Sequence, residues 1–212
     1  MVDDLDDEKE QWEYFKGWIA QNGPWIVAGI IVGAAGIWGW NAYKGRVDAQ
    51  AQAAEQQYEQ TIDAFGRKDS ARAASMLAAL ERDHPGSPYV DQARLAAARV
   101  AVESKDLAAA DSDLRAVMTA THDPELALVA RLRLARVLLA EGKAPEALGI
   151  VQGATPGSAF APEFAEVRGD ALLAKGDRAG ALAAYREASA AKTAGVLDTA
   201  TLDLKIRDLA SP

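Results

Sequence analysis

The sequence predicts an all-α protein in which a single N-terminal transmembrane helix is followed by an α-solenoid of about four helix hairpins and a C-terminal capping helix. Three observations indicate this fold class. Half of the 212 residues are hydrophobic but only 7% are aromatic, because alanine, the strongest helix former, supplies the excess. An apolar segment without charge lies near the N-terminus. The rest of the chain repeats itself at an interval close to the length of a helix hairpin.

Residues 25–43 form the predicted transmembrane helix and read WIVAGIIVGAAGIWGWNAY. No charged residue lies between Lys16 and Lys44, and a helix of this length reaches roughly 28 Å, about the thickness of the hydrocarbon core. Aromatic side chains, which prefer the headgroup level, stand at both ends: Trp25, Trp38, Trp40 and Tyr43. The sequence Asn22-Gly23-Pro24 predicts the start of this helix, because proline is well tolerated in a first turn.

Residues 1–24 form an acidic head whose charges do not fix the orientation of the helix. Two basic residues precede the span and two follow it, so the positive-inside count is a tie. Between residues 9 and 21 apolar side chains recur at helical spacing. This segment either lies in the membrane interface as an amphipathic helix or extends the spanning helix. A cleaved signal peptide is disfavoured because the chain opens with VDDLDDEKE instead of positive charge.

Inside the span, Gly29 and Gly33 form a G-x-x-x-G pattern and Gly36 continues the same face. Small residues let a second transmembrane helix approach closely, so this face is a candidate for packing inside the membrane. The alternative is a face exposed to lipid.

Residues 44–212 form the predicted repeat domain. Four turn signals occur at Lys68-Asp69, Lys105-Asp106, Gly142-Lys143 and Gly176-Asp177, with spacings of 37, 37 and 34 residues. After each turn an alanine is followed by two apolar positions, and the alanine is expected where the second helix crosses the first. These three sets are Ala73, Ala110, Ala147 and Ala181; Leu77, Leu114, Val151 and Tyr185; and Leu80, Val117, Ala154 and Ala188. Residues 196–210, with five apolar side chains among charges, are predicted to cap the solenoid: Leu197, Leu202, Leu204, Ile206 and Leu209.

The unit from Gly169 to Ala188 resembles the tetratricopeptide consensus. The first hairpins are degenerate, since Thr61 and Ala64 stand where a small residue and a large apolar one are expected. A non-repeating, alanine-rich bundle is the alternative. In tetratricopeptide arrays the first helix of each hairpin lines the concave side, and this geometry predicts a protein-binding groove of nine residues: Leu95, Arg99, Val102, Leu132, Arg136, Leu139, Glu166, Asp170 and Leu173.

Arg99 and Arg136 occupy equivalent repeat positions and are therefore expected to be neighbours in this groove, with Glu166 and Asp170 beyond them. Guanidinium groups flanked by leucines suit an extended peptide with some negative charge. The alternative is ordinary surface arginines that pair with nearby carboxylates.

Charge and composition exclude several function classes. The net charge is −8 and there is no basic stripe, so no nucleic-acid partner is expected. The chain has no cysteine, and a zinc site would have to use His84 and His122 with carboxylates. Both histidines lie in predicted turns, and no phosphate loop or hydrolase motif occurs. We therefore expect no catalytic residues, cofactor or metal.

The whole layout resembles a known family. An E-x-W-x-x-F-K-x-W segment spans residues 10–18, followed by Gln21-Asn22-Gly23, a glycine-rich span that ends in Gly39-Trp40 and Tyr43, and degenerate hairpins. This arrangement resembles the ancillary subunit family of the bacterial SecYEG translocon. The resemblance implies a single-pass inner-membrane protein with its N-terminus in the cytoplasm and its repeat domain in the periplasm.

The same resemblance implies the partners: the SecYEG translocon and a membrane-anchored periplasmic prolyl isomerase chaperone. It implies a non-enzymatic role in assisting newly exported proteins, and a homodimer is compatible with the sequence. The alternative function is a membrane-anchored repeat adaptor of an outer-membrane assembly or cell-division complex.

Overall fold

The computed structural model describes the backbone of residues 3–155, 157, 159–190 and 199–210, with side chains from residue 12, Thr199 excepted. In these ranges all regular structure is helical, which confirms the predicted all-α fold. The nine helices are α1 (Asp3–Gly66), α2 (Ser70–Asp83), α3 (Pro88–Glu103), α4 (Leu107–Ala120), α5 (Pro124–Ala140), α6 (Ala144–Gln152), α7 (Ala161–Ala174), α8 (Arg178–Ala190) and α9 (Thr199–Ala210).

The chain divides into two compact units, Met1–Gln52 and Ala53–Pro212. The first unit holds the part of α1 that contains residues 25–43. This part is long and apolar enough to cross a membrane, and none of its apolar window is buried against other parts of the protein. Its large side chains, such as Trp25 at 80% and Val32 at 72%, are exposed.

The predicted helix start at Asn22-Gly23-Pro24 is wrong. Pro24 lies inside α1, which begins at Asp3 and also includes residues 9–21. A proline inside a helix removes one backbone donor, but membrane helices accommodate it through neighbouring polar side chains and small local adjustments. Here the Asn22 side-chain amide donates to the backbone carbonyl of Trp18 at 2.9 Å, which adds a hydrogen bond one turn before the proline.

The second unit consists of four hairpins and a terminal helix. The end of α1 pairs with α2 through the buried cluster of Ala54, Leu77 and Leu80. The pairs α3 with α4, α5 with α6 and α7 with α8 form the next hairpins, each stacked on the one before, and α9 packs on α8. The repeat arrangement predicted from the turn spacing is therefore confirmed.

The alanine positions of the repeat lie at the helix crossings. All four of these alanines are completely buried, at 0% exposure: Ala73, Ala110, Ala147 and Ala181. The large residues one turn later are also buried. In the third set, Ala154 is only half-buried, whereas the other three members are fully buried. The reason is that α6 ends at Gln152, where the amide of Gly153 donates to the carbonyl of Gly149. The repeat pattern thus runs past the end of this short helix.

One backbone motif closes all four hairpins. The first residue of each predicted turn has a left-handed backbone, with φ of 61° at Lys68, 65° at Lys105, 78° at Gly142 and 86° at Gly176. The Lys105 amide bonds to the carbonyl of Val102 at 3.0 Å, and the amide of Asp106 bonds to the carbonyl of Ala101 at 2.8 Å. This Schellman arrangement recurs at the other three turns and satisfies carbonyls that the ending helix leaves free.

The residue after each left-handed position begins the next helix. Asp106 caps α4 by accepting the amide of Ala109 at 3.1 Å, and Asp69 and Asp177 do the same for α2 and α8. Lys143 stands at this position before α6 and makes no side-chain cap. The turn therefore combines a helix stop with a helix start in two residues.

The first and last hairpins satisfy the demand for a small residue in different ways. Thr61 has 0% exposure, and its hydroxyl donates to the carbonyl of Gln57 at 2.7 Å, so the polar atom is paired inside its own helix. At the equivalent position in α7, a Cβ on Gly169 would lie 2.4 Å from Cε1 of Tyr185. Only glycine fits beneath that ring.

Helix α9 covers the end of the solenoid. Leu202 is fully buried against Ala181 and Tyr185, with Ile206 and Leu209 partly buried beside it. Leu204 is 54% exposed, so its predicted capping contact is wrong; it lies on the outer face of α9. Leu197 lies outside the described residues.

Lys105→Gly should stabilise the protein. A left-handed backbone costs a non-glycine residue roughly 1–2 kcal/mol, whereas glycine loses about 0.5–1 kcal/mol of extra backbone entropy on folding. We expect a net gain of about 0.5–1 kcal/mol in the free energy of unfolding, measured by urea titration of the full chain in detergent. The control is Lys175→Gly, since Lys175 has φ of −82° and gains no such relief. Equal destabilisation by the two changes would contradict the role of the turn.

Gly169→Ala should destabilise the fourth hairpin. Overpacking against Tyr185 costs roughly 1–3 kcal/mol, only partly offset by the better helix propensity of alanine. The matched control is Gly149→Ala in α6, where an added Cβ meets nothing within 4 Å and stability should rise. In a double-mutant cycle by thermal unfolding, Tyr185→Leu should reduce the penalty of the added methyl group. Additive effects would mean that the ring contact is not the cause.

Candidate protein-binding groove

A cavity of about 390 Å³ lies on the side of the solenoid that α3 and α5 share. Its floor is apolar and well buried, with Leu95 at 9%, Leu114 at 1% and Val137 at 5% exposure. Three arginines, which are exposed and therefore lie at its rim, complete the lining: Arg99, Arg133 and Arg136. We call this site the arginine cavity. It combines an apolar floor with a positive rim.

The structure brings four of the nine predicted groove residues together in the arginine cavity: Leu95, Arg99, Val102 and Arg136. The stacking of equivalent helices places Arg99 of α3 and Arg136 of α5 on one site, as their 37-residue spacing requires. Val102 is 43% exposed at the edge. Whether a partner binds here stays a prediction.

The three arginines differ in their pairing. The Arg99 Nε donates to Oε1 of Glu103 at 2.8 Å, but both side chains are exposed, at 79% and 60%, so the pair is weak. In the described part of the chain, the side chains of Arg133 and Arg136 form neither a hydrogen bond nor an ion pair. Sequence reasoning missed Arg133, although it lies three residues before Arg136 and therefore on the same helix face.

The remaining predicted groove residues lie elsewhere. Leu132 is buried in the main core at 7% exposure, and Leu139 packs against the same core. Leu173 is 37% exposed near the end of α7. These three leucines do not line the arginine cavity.

Glu166 and Asp170 are engaged by the terminal helix. The Lys205 ammonium of α9 lies 2.9 Å from Oε1 of Glu166 and 2.7 Å from Oδ1 of Asp170. The Tyr185 hydroxyl donates to the same Asp170 oxygen at 2.7 Å, and Lys205 sits 5.3 Å above the Tyr185 ring centre. The acidic end of the predicted groove is therefore filled by this chain.

This network shifts the pKa values of its members. Burial by itself lowers the pKa of Lys205, but the hydrogen bonds to Asp170 and Glu166 outweigh burial, so its pKa is raised. Burial and the bond to Asp170 both raise the pKa of the Tyr185 phenol. Both groups therefore stay protonated over the physiological range.

A second pair of arginines, Arg94 and Arg131, was missed by sequence reasoning although these residues are also 37 positions apart. The Arg94 guanidinium bridges Oε1 of Glu81 at 2.8 Å and Oδ1 of Asp113 at 3.3 Å. Arg131 donates to the backbone carbonyl of Ile150 at 3.2 Å. Each brace ties the first helix of its hairpin to the second, and so supports the helix that carries Arg99 or Arg136.

The histidines and the span glycines show no built site. His84 ends α2 through a backbone bond to the carbonyl of Leu80, and His122 lies in the turn before α5. Among the described residues, no group of three or more His, Cys, Asp and Glu side chains is placed to hold a metal. A Cβ on any of Gly29, Gly33 and Gly36 would meet nothing within 4 Å, so this helix face is open.

A family model described as a tetratricopeptide repeat-like domain matches residues 16–211. A protein of Escherichia coli strain K12 named ancillary SecYEG translocon subunit is 32% identical over 182 residues, which cover 85% of this chain and 86% of that protein. The chain belongs to this family. The predicted family resemblance is thereby confirmed.

Other relatives agree. A protein of Aggregatibacter actinomycetemcomitans with the same name is 27% identical over 96% of this chain and 98% of its own length. A solved structure described as "Functional Characterization of Pseudomonas Aeruginosa pilF" superposes with a TM-score of 0.57 at 15% identity, covering 76% of this chain and 69% of that one. The latter likeness concerns the fold alone.

Lys205→Met should loosen α9. The change leaves Glu166 and Asp170 close together without a cation, and breaking a partly buried ion pair costs about 2 kcal/mol here. The control is Lys143→Met, since Lys143 is 49% exposed and its pair with Glu141 is screened by solvent and contributes little to stability. Urea unfolding at neutral pH measures both effects.

The alkaline limb of the same experiment checks the electrostatic cause. Because the pKa of Lys205 in the folded protein is raised above the usual lysine value of 10.5, its contribution to stability is complete below that pH and is lost as the pH rises through the folded pKa. The stability gap between the wild type and Lys205→Met should therefore shrink in strong alkali. A gap independent of pH would point to packing instead.

Proposed function

We propose that this protein is a non-enzymatic adaptor, anchored in the bacterial inner membrane by α1, that associates with the SecYEG translocon. The observation that carries the proposal is the combination of an apolar helix segment with relatives named as translocon subunits over most of both chains. The anchor supplies location and the hairpins supply contact. We further propose that the N-terminus is cytoplasmic and the repeat domain periplasmic, on the strength of the family resemblance.

Anchoring and repeats together favour action by proximity. A binding site tethered to a membrane meets membrane-bound partners at a raised effective concentration, so weak contacts become sufficient. In this role the repeat domain links the translocon to a membrane-anchored periplasmic prolyl isomerase chaperone and assists proteins that have just been exported.

The chemistry of the arginine cavity favours binding over catalysis. Arginine remains protonated throughout the physiological range and cannot serve as a general base there. The floor consists of aliphatic side chains that hold apolar groups without reacting with them. A site of this composition recognises a ligand and holds it.

Co-purification tests the proposed association. When the tagged full-length chain is extracted from bacterial membranes in a mild detergent, we expect SecYEG subunits to be recovered with it. Replacing Gly29, Gly33 and Gly36 by leucine should reduce that recovery severalfold while the helix still inserts, because the larger side chains keep another helix at a distance. The control, Ala34→Leu with Ala35→Leu, alters other faces of the helix and should retain the translocon.

Failure to recover translocon subunits with the unaltered chain would contradict the proposal. Recovery of outer-membrane assembly or cell-division proteins in their place would support the alternative adaptor function. Equal loss with the glycine and alanine variants would show that the glycine face is not the contact.

A further inference from the structure

We propose that the arginine cavity binds a short linear segment of another protein in which an apolar side chain is flanked by aspartate or glutamate. This inference rests on the proposed adaptor function and names the chemistry of the partner that its groove accepts. Four observations support it: the buried floor, the positive rim, the way this chain fills the next groove position, and the adjoining cavity.

The floor defines the anchor. Leu95, Leu114 and Val137 are almost fully buried beneath an open depression, and the exposed Val102 and half-buried Leu107 add accessible apolar surface to its lining. A volume of about 390 Å³ is at the lower end of the range for ligand pockets, roughly 300–1,000 Å³. It accepts one or two large aliphatic or aromatic side chains, which is the anchor of a linear motif and too little for a folded surface.

The rim defines the charge. Arg99, Arg133 and Arg136 place three cations around the depression against one carboxylate, Glu103, in a chain whose net charge is −8. No hydrogen-bond acceptor in the described part of the chain engages the guanidinium groups of Arg133 and Arg136. Guanidinium forks bind carboxylates through paired, charge-assisted hydrogen bonds. A partner that brings carboxylates therefore completes the site.

The fourth hairpin shows the same repeat position with its partner in place. Asp170 lies six residues before the left-handed turn residue of its hairpin, as do Arg99 and Arg136. Asp170 is matched by Lys205 from the following helix at 2.7 Å. Arg136 carries a positive charge where Asp170 carries a negative one, and no carboxylate in the described part of the chain pairs with it. The complement is accordingly acidic and comes from another molecule.

A second cavity extends the surface beyond one side chain. It has a volume of about 530 Å³, lies between the end of α1 and α3, and shares Arg99 and Glu103 with the arginine cavity. Ile62 and Phe65 add apolar surface to it. A segment anchored over Val137 therefore finds further apolar contact past Arg99, which favours a linear chain over a single small anion.

Fluorescence anisotropy with the full-length protein in detergent micelles tests the proposal. The probe is a labelled synthetic peptide in which leucine and phenylalanine are flanked by glutamates, and its matched form carries glutamines in their place. We expect the glutamate peptide to bind at least about tenfold more tightly, as the loss of one charge-assisted contact predicts. Arg133→Gln with Arg136→Gln should remove that preference, whereas Arg186→Gln, on the exposed face of α8, should leave it unchanged.

Charge reversal sharpens the test. Arg133→Glu with Arg136→Glu should bind the lysine version of the peptide better than the glutamate version. Val102→Asp, at an exposed edge position, should weaken the glutamate peptide without unfolding the domain. Equal affinity for the glutamate and glutamine peptides would overturn the proposal, and so would full displacement of the peptide by inorganic phosphate or by anionic lipid mixed into the micelles.

These results are separable from the proposed function. If SecYEG co-purifies with the unaltered chain but that chain binds the glutamate and glutamine peptides equally, the adaptor function stands and the acidic-segment inference is wrong. If the peptide preference is found without translocon recovery, the cavity chemistry stands and the proposed association is wrong.

Discussion

The close crossing of the two helices in each hairpin is the constraint on which the rest of the repeat domain depends. Where the helices cross, one residue of each must be small, and Ala73, Ala110, Ala147 and Ala181 are completely buried at these points. Thr61 meets the same demand by bonding its hydroxyl to its own helix, and Gly169 meets it by leaving room for the Tyr185 ring. Because the crossing is tight, the first helix of each hairpin is held in a fixed orientation against the second.

The spacing of the repeats then determines where a cavity forms between the first helices of neighbouring hairpins. Turns 37 residues apart keep α3 and α5 in register and bring Arg99 and Arg136 to one cavity. The last interval is only 34 residues, and α6 has nine residues against 14 in α4. With this shorter second helix, α5 and α7 contact each other directly. The arginine cavity thus lies between α3 and α5, before the repeats tighten.

Local sequence rules predict much of this architecture. Four short turn sequences, three of which end in an aspartate that caps the next helix, mark the ends of helices in the sequence, so the hairpin boundaries and alanine positions follow from them. The predicted burial of Ala154 and Leu204 was wrong. A repeat pattern does not show that α6 ends at Gln152, before Ala154, or which face of α9 packs against the solenoid. The helix start predicted at Pro24 was wrong because a proline can either begin a helix or be tolerated inside one. The surrounding apolar sequence does not distinguish these two cases.

The site was predictable only in part, for a related reason. Equivalent repeat positions place Arg99 and Arg136 together. They do not predict ion pairs between residues that occupy different repeat positions on different helices. Lys205 reaching Glu166 and Asp170, and Arg94 bridging Glu81 and Asp113, depend on side-chain reach after packing. As a result, two acidic residues expected to be open to a partner, Glu166 and Asp170, are bound within the chain. Arg133 is different, because its spacing from Arg136 already places both arginines on one helix face.

Site-specific photo-crosslinking in intact cells tests most directly whether the membrane-held groove is the working surface. A photoreactive side chain at Val102 should capture translocon or exported proteins, while the same group at Arg186 on α8 should capture far less. Partners captured from α8 and none from the arginine cavity would contradict the account.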